Sequence, residues 1–157
     1  MFGIGLGAFV DGIVLHQVLQ WHHMLSARPT TQPDTVAGLQ ANVVADGLFH
    51  LGALIAATAG LFILLREWRL GRLAPPWGTH IGMALAGWGT FNVIEGLVNH
   101  HLLGVHHVRD DIASPQAWDL GFLVISAVLL AGGLRVAARP RARHPSHHDN
   151  IECPKDG

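Results

Sequence analysis

The amino-acid sequence predicts an all-α protein, a four-helix transmembrane bundle made of two parallel-repeat helical hairpins. Half of the 157 residues are hydrophobic and only 13% are charged, whereas ordinary soluble domains have roughly 25% charged residues. Four apolar stretches, near 3–25, 40–65, 79–105 and 117–138, are long enough to cross a bilayer, which takes about 20 residues. A histidine-rich phrase that occurs once in each half of the chain predicts the repeat.

The first span differs from a cleaved signal peptide. It lacks a basic n-region, and its apolar core contains Asp11 and His16. The chain also begins almost inside this span, which suggests that the natural start lies upstream. The third span contains glycines but no proline, so its glycines are expected to mark close helix contacts rather than kinks.

The arginines predict the topology of the four spans. Lys and Arg are absent from the spans except near the end of the fourth, and arginines cluster in the middle loop and at the end of span four: Arg66, Arg69, Arg72, Arg135, Arg139, Arg141 and Arg143. The other two loops hold only Arg28 and Arg109, each close to aspartate. Because positive charge accumulates on the cytoplasmic side, both termini and the middle loop are predicted to be cytoplasmic.

The chain divides into a transmembrane four-helix domain, residues 1–139, and a disordered cytoplasmic tail, residues 140–157, rich in Arg, His, Pro and Ser. The only cysteine, Cys153, lies in this tail, which excludes a disulfide framework and a thiolate metal cluster. No basic stripe or RNA motif occurs, so nucleic acid is not an expected partner. The lipid bilayer is, and the glycine-rich faces leave homodimerisation open.

The repeated phrase places acid, glycine and histidine at identical offsets in the two halves. Asp11-Gly12 is followed by His16 and by His22-His23, and 84 positions later Glu95-Gly96 is followed by His100 and by His106-His107. Spans one and three run in the same direction, so the repeat is a parallel one with its axis along the membrane normal. Spans two and four match more weakly, around Asp46 and Asp119.

Each span contains one acid: Asp11, Asp46, Glu95 or Asp119. Four unpaired acids within a bilayer would cost on the order of 10 kcal/mol, and the basic residues near them are histidines. At 1.5 Å rise per residue, Asp46 lies about level with His16, and His50 about level with Asp11. Histidines, backbone groups, protons or a bound cation remain as partners for the acids, and metal binding is the leading interpretation.

Twelve residues are therefore candidate metal ligands: His16, His50, His100, His101, Asp11, Asp46, Glu95, Asp119, His22, His23, His106 and His107. Imidazole with carboxylate suits Fe, Cu(II), Zn or Mn, and a carboxylate can also orient a ligand imidazole. The buried layer of His16, His100 and His101 is the stronger candidate. The two His-His pairs are expected at the outer interface, where solvation is an equally good explanation, and the acids can also be protonated and bonded across helices.

The hypotheses for function follow from this ligand set. The first is an integral membrane metal-binding protein, with a mononuclear or dinuclear site in the outer half of the bundle and an oxidoreductase activity on a small molecule. The second is a haem-b electron-transfer protein with two axial histidines, such as His16 and His100. The third is a metal-ion or proton transporter, in which the His-His pairs collect the ion and the buried acids relay it.

The sequence resembles a bacterial membrane-protein family catalogued as domain of unknown function 2243. The resemblance covers roughly residues 3–138 and is carried by the segments 9–17, 20–24, 46–50 and 95–107, which contain the acid, glycine and histidine motifs. It implies a multi-pass protein of the cell inner membrane with four spans. It supplies no established activity, so it leaves the three hypotheses open.

Overall fold

The computed structural model describes residues 1–73 and 77–139, and the predicted tail from residue 140 onward lies outside them. The described residues form an all-helical protein, as predicted, with four helices and no strand: α1 (Phe2–Asp11), α2 (Val36–Arg69), α3 (Trp77–Glu95) and α4 (Gln116–Ala137). α1 continues into a first π-helical segment, Gly12–Val18, and α3 into a second one, Gly96–Leu102.

Three of the helices are long and apolar enough to cross a membrane: α2, α3 with its π segment, and α4. α1 with its π segment, Phe2–Val18, is a shorter apolar helix. Two predicted boundaries were wrong, because the first span was expected to reach residue 25 and the third residue 105. They end at Val18 and Leu102.

α1 and α3 form the centre of the bundle. Among the described helices, direct contacts join α2 to α1, α1 to α3, and α3 to α4. The outward faces of α2 and α4 expose large aliphatic side chains, as a lipid-facing surface requires: Leu48, Leu51, Leu54, Ile55, Leu120, Val124, Ile125 and Val128. Few hydrophobic side chains are fully buried between the described helices, and small residues make the closest helix–helix contacts.

Glycines let the helix backbones approach at matching places in the two halves. Gly5 lies against the backbone of Ala57, and Gly89, 84 positions later than Gly5, lies against Leu130, 73 positions later than Ala57. Gly12 faces the rings of Phe49 and His50. The hairpin α1–α2 therefore packs by the same contacts as the hairpin α3–α4.

Both central helices end in the same unusual way. Leu19 N donates to Val14 O and Trp21 N to Leu15 O, and Gln20 between them has a φ of 51°. The equivalent residue in the other half is Gly104, with a φ of 55°. A positive φ is uncommon for a residue other than glycine. Its presence at Gln20 indicates that the fold requires the chain to change direction at this position. The chain then enters two loops, 19–35 and 103–115, at one end of the bundle, which we call the histidine end.

Replacement of Gly5 by alanine should destabilise the bundle, because the added methyl group would overlap the backbone of Ala57. We expect a loss of about 1–3 kcal/mol, the usual cost of overpacking, measured by thermal unfolding in detergent. Gly52→Ala in α2 is the control, since a methyl group there meets open space. Equal melting temperatures for the two variants would contradict the close α1–α2 contact.

Candidate metal centre

The four acids predicted within the spans are all buried, and each is close to histidine. Asp11, Asp46, Glu95 and Asp119 expose between 1% and 7% of their surface. Burial of an ionised carboxylate is costly unless hydrogen bonds or charges compensate it. The histidines at the histidine end provide that compensation.

The Asp46 carboxylate accepts hydrogen bonds from several groups of the first half of the chain, including the Gln17 amide at 3.4 Å. Its Oδ1 lies 2.9 Å from His16 Nδ1 and accepts the backbone N–H of Met24 at 2.9 Å, and its Oδ2 lies 2.8 Å from His23 Nδ1. The contact with His16 agrees with the depths expected from helix geometry. Asp46 therefore ties the loop after α1 to the helix α2 and fixes the ring of His16.

Asp119 makes the equivalent contacts in the second half. Its Oδ2 lies 2.7 Å from His107 Nδ1, and its Oδ1 accepts the backbone N–H of Val108 at 2.9 Å. His100 Nδ1 lies 3.6 Å from the same Oδ1. The acid of α4 thus faces the Nδ1 atom of the buried histidine of α3, as Asp46 does for His16.

His22 and His106 meet at the centre of the cluster and are held by the opposite loops. His22 Nδ1 donates to the carbonyl of Val108 at 2.9 Å, and His106 Nδ1 donates to the carbonyl of Met24 at 3.2 Å. The two rings stack with their centroids 4.5 Å apart and their planes within 4°. This pair therefore joins the two halves.

The four buried imidazoles of this cluster are oriented in the same way. In His16, His22, His100 and His106 the Nδ1 atom faces an oxygen of the protein. The Nε2 atom faces a carboxylate in His16, His100 and His106 and has no hydrogen-bond partner in His22. Two groups have donor atoms within 4.8 Å of one another: His16 with His22 and His106, and Glu95 with His100 and His106. They share His106, so they form one centre of five residues.

At this centre the first half has an aspartate, Asp11, where the second half has a glutamate, Glu95, which is longer by one methylene group. Glu95 Oε1 lies 2.9 Å from His106 Nε2 and 3.1 Å from His100 Nε2. The shorter Asp11 places Oδ2 3.5 Å from His16 Nε2, and His22 Nε2 has no hydrogen-bond partner. Glu95 Oε2, Asp11 Oδ2 and His100 Nε2 are also buried without a hydrogen bond. Buried polar atoms are normally paired, so these atoms have room for a further hydrogen-bond or coordination partner.

His22 lies beyond the helical span of α1 and is buried among other imidazoles. Its burial, together with the neighbouring His106 and His16, lowers the pKa of His22 to about 2. His22 is thus neutral at physiological pH. A neutral imidazole is the form that binds a metal ion.

Five of the twelve predicted ligands form this centre, and two of the others, His50 and His101, bond instead to backbone carbonyls. His101 is exposed and its Nδ1 donates to the carbonyl of Gly96 at 3.0 Å, so the expectation that it belongs to the buried layer was wrong. His50 is half-buried, donates to the carbonyl of Asp46 at 2.7 Å and packs edge-on against Phe9. Because His101 lies in the second π segment, where the angular spacing of side chains differs from that of an α-helix, straight helical spacing misplaces it.

The structure also changes the expected place of the His-His pairs. His22 and His106 expose 3% and 0% of their surface, whereas an interfacial position was expected. The reversals at Gln20 and Gly104 fold the loops back over the helix ends, so the first histidine of each pair is buried. The second, His23 or His107, is partly exposed and holds Asp46 or Asp119.

Two supporting residues were missed by the sequence reasoning. Ser26 Oγ accepts the backbone N–H of His23, and Asp110 Oδ1 accepts that of His107, both at 2.9 Å. Ser26 Oγ also donates to Asp110, which connects the two loops. A signal was available, because Ser26 and Asp110 are 84 positions apart and each follows its His-His pair by three residues.

The comparison with known families agrees with the apolar, membrane-spanning character of the helices. The chain matches the family described as "Predicted membrane protein (DUF2243)" over residues 1–140, and it belongs to that family. No curated protein and no solved structure matches the chain.

Substitution of Asp46 by asparagine should loosen the loop that carries His22 and His23. An amide in place of the carboxylate gives up one acceptor and sets an N–H against an imidazole N–H, and a buried unsatisfied group costs roughly 1–3 kcal/mol. We expect a lower melting temperature in detergent and faster proteolysis within residues 19–35. Asp119→Asn should have a similar effect on residues 103–115. The exposed Asp111, replaced by asparagine, is the control, and a loss as large there would show that the effect is not specific to the buried acids.

Proposed function

We propose that this membrane protein binds a first-row transition metal ion at the histidine end of the bundle. The observation that carries the proposal is the common arrangement of His16, His22, His100 and His106. Each ring has its Nδ1 atom against a protein oxygen, and its Nε2 atom either lies beside a carboxylate that could share an ion with it or, in His22, has no partner. Glu95 adds a carboxylate to the same region.

The donor atoms fit an ion of the Fe, Mn, Zn or Cu(II) type. Imidazole and carboxylate are the ligands that these ions share, and thiolate, which would favour Cu(I) or an iron–sulfur cluster, is absent from the residues that the structure describes. Asp46 and Asp119 are well placed to support the ligands rather than to bind the ion, because the hydrogen bonds that their carboxylates accept from imidazole N–H groups fix the ring orientation and raise imidazole basicity.

The arrangement favours one shared centre over two separate ones. Both donor groups include His106, and one nitrogen of an imidazole binds one ion. A single ion would therefore be bound by both halves of the chain, and a second ion would have to lie beside it, next to Asp11 and His22. The unpartnered oxygens Asp11 Oδ2 and Glu95 Oε2 would then act as further ligands or as proton acceptors.

An oxidoreductase is the activity that we propose for such a centre. Iron, copper and manganese change oxidation state, and a site of four imidazoles and two carboxylates inside a largely apolar bundle keeps bulk water away from the ion. The carboxylates next to the imidazoles can take up a proton when the charge of the ion changes. The protein residues would thus bind the ion, exclude water and move protons.

The haem alternative fits this geometry less well. His16 and His100 are the expected axial residues, but His22 contacts His16 with ring centroids 4.4 Å apart, and His106 contacts His100 at 5.1 Å. The stacked pair thus occupies the space that a porphyrin between the axial rings would need. Transport also has less support, since α1 and α3 pack backbone to backbone at Gly3 and Gly87, away from the histidine end.

Replacement of His106 by alanine should remove the bound metal, because His106 belongs to both donor groups. After expression in metal-replete medium, elemental analysis of the unmodified protein should give about one or two ions per chain. We expect the affinity of His106→Ala to fall by more than about 100-fold, beyond the roughly 10–100-fold loss typical of supporting residues.

The neighbouring His101 provides the matched control. It is exposed and lies next to His100, so His101→Ala should retain the metal. Helical content by circular dichroism and elution as a single species would show that both variants are folded. Well below one ion per chain in the unmodified protein, or equal metal content in both folded variants, would overturn the proposal.

A further inference from the structure

The end of the bundle opposite the histidine end, which we call the arginine end, has an excess of positive charge. Its arginines lie in the last turns of α2 and α4 and in the residues that follow them: Arg66, Arg69, Arg72, Arg135 and Arg139. Glu67 is the one acid at this end among the described residues, and it pairs with Arg66 at 2.9 Å and with Arg72 at 3.5 Å. Within the same residues Arg69 has no acidic partner, so the arginine end offers positive charge to an anion.

Two grooves run along α2 beside these arginines. The first, of about 450 Å³, has Arg66 and Arg69 in its wall together with apolar residues such as Phe62. The second, of about 490 Å³, lies between α2 and the start of α3 and is lined mainly by apolar and aromatic residues, including Trp77. Trp68 lines both grooves. We call the surface formed by Phe62, Arg66, Trp68, Arg69 and Trp77 the Trp68 surface.

The Trp68 surface has its charge at one end and its apolar residues on the side of the membrane interior. Phe62 precedes Arg69 by seven residues, which at 1.5 Å per residue places it about 10 Å farther toward the middle of the bundle. Phe62, Trp68 and Trp77 expose 67%, 66% and 82% of their surface, and exposed tryptophans are typical of the headgroup level of a bilayer. A ligand that covers this surface must therefore combine a negative charge with a long apolar body. Inorganic phosphate has only the first of these.

The second half of the chain repeats the charge of this end but not the apolar surface beside it. At the positions of α4 that lie 73 residues later, Arg66 corresponds to Arg139, whereas Phe62 corresponds to Arg135 and Leu65 to Ala138. Positive charge at this end agrees with the predicted topology of the whole bundle. Its combination with aromatic grooves is found on α2, and Arg135 is a matched exposed arginine outside both grooves.

We propose that the Trp68 surface is a binding site for an anionic phospholipid. The phosphate of the headgroup would accept charge-assisted hydrogen bonds from Arg66 and Arg69, which lie three residues apart on one face of α2. The two acyl chains would occupy the two grooves, on either side of Trp68. Basic pockets beside membrane-spanning helices bind anionic headgroups, and the apolar grooves favour the lipid over free phosphate. This site is separate from the metal centre, which lies at the other end of the bundle.

The first test compares two phospholipids that have the same chains and different headgroups. Purified protein in a neutral detergent is titrated with anionic dioleoyl phosphatidylglycerol or with zwitterionic dioleoyl phosphatidylcholine, and bound lipid is counted by native mass spectrometry. We expect the anionic lipid to bind at least about fivefold more tightly, since each arginine near a membrane surface contributes about this factor toward an anionic lipid. Inorganic phosphate added in molar excess should not displace it.

The second test separates Arg69 from the general positive charge of this end. Arg69→Gln should lower the affinity for phosphatidylglycerol by about fivefold, because one charge is lost, and leave the affinity for phosphatidylcholine unchanged. Arg135→Gln removes the same charge from a position outside the grooves and should change neither affinity. Trp68→Ala should weaken the binding of both lipids to a similar extent, because it removes apolar contact area without changing the charge.

Equal affinities for the two lipids would overturn the proposal. Equal losses in Arg69→Gln and Arg135→Gln would also overturn it, because the arginines would then act only through the net charge of this end. Displacement of the lipid by inorganic phosphate would contradict it as well, since the grooves would then contribute nothing. The comparison of headgroups uses the unmodified protein and requires no bound metal, so its failure would refute this lipid site and leave the proposed metal centre standing.

Discussion

The structure depends on two buried carboxylates that receive imidazole and backbone N–H groups from loops. Asp46 lies about three turns into α2 and Asp119 in the first turn of α4, and both are buried, where ionised oxygens would be costly without donors. His23 with Met24, and His107 with Val108, supply those donors. Each bond also has a second effect, since it draws a loop inward. The burial of the acids and the position of His22 and His106 are therefore two results of the same interaction.

The reciprocal bonds between the loops add cooperativity to this arrangement. His22 is held by a carbonyl of the second half and His106 by a carbonyl of the first, so neither half can place its central histidine alone. Polar networks in a medium of low dielectric constant are strong when complete and unfavourable when partly satisfied. Unpaired Nε2 and carboxylate oxygen atoms lie at the centre of this network, and they are the atoms that the proposed metal ion would use.

Much of this arrangement could be predicted from the amino-acid composition and from the repeated acid, glycine and histidine motif. The all-helical bundle, the one acid in each span and the depth of Asp46 relative to His16 follow from hydropathy and from the rise of a helix. The remaining features of the site could not be predicted from residue propensities. The π segments at Gly12–Val18 and Gly96–Leu102 change the angular spacing of side chains, and the reversal at Gln20 uses a residue with no intrinsic preference for a positive φ. For that reason His101 was placed inward and His22 outward, the opposite of the arrangement in the structure.

The two π segments occur at matching places in the two halves. A π turn contains an extra residue relative to an α turn, and such turns are rare and concentrated at functional positions. Each half has one directly after its acid, at Gly12–Val18 and Gly96–Leu102. Because His22 and His106 are each held by a carbonyl of the other half, one hairpin alone could not complete the site. The two hairpins thus act as complementary parts of one assembly, and the aspartate at position 11 opposite the glutamate at position 95 is a difference that two identical copies could not have.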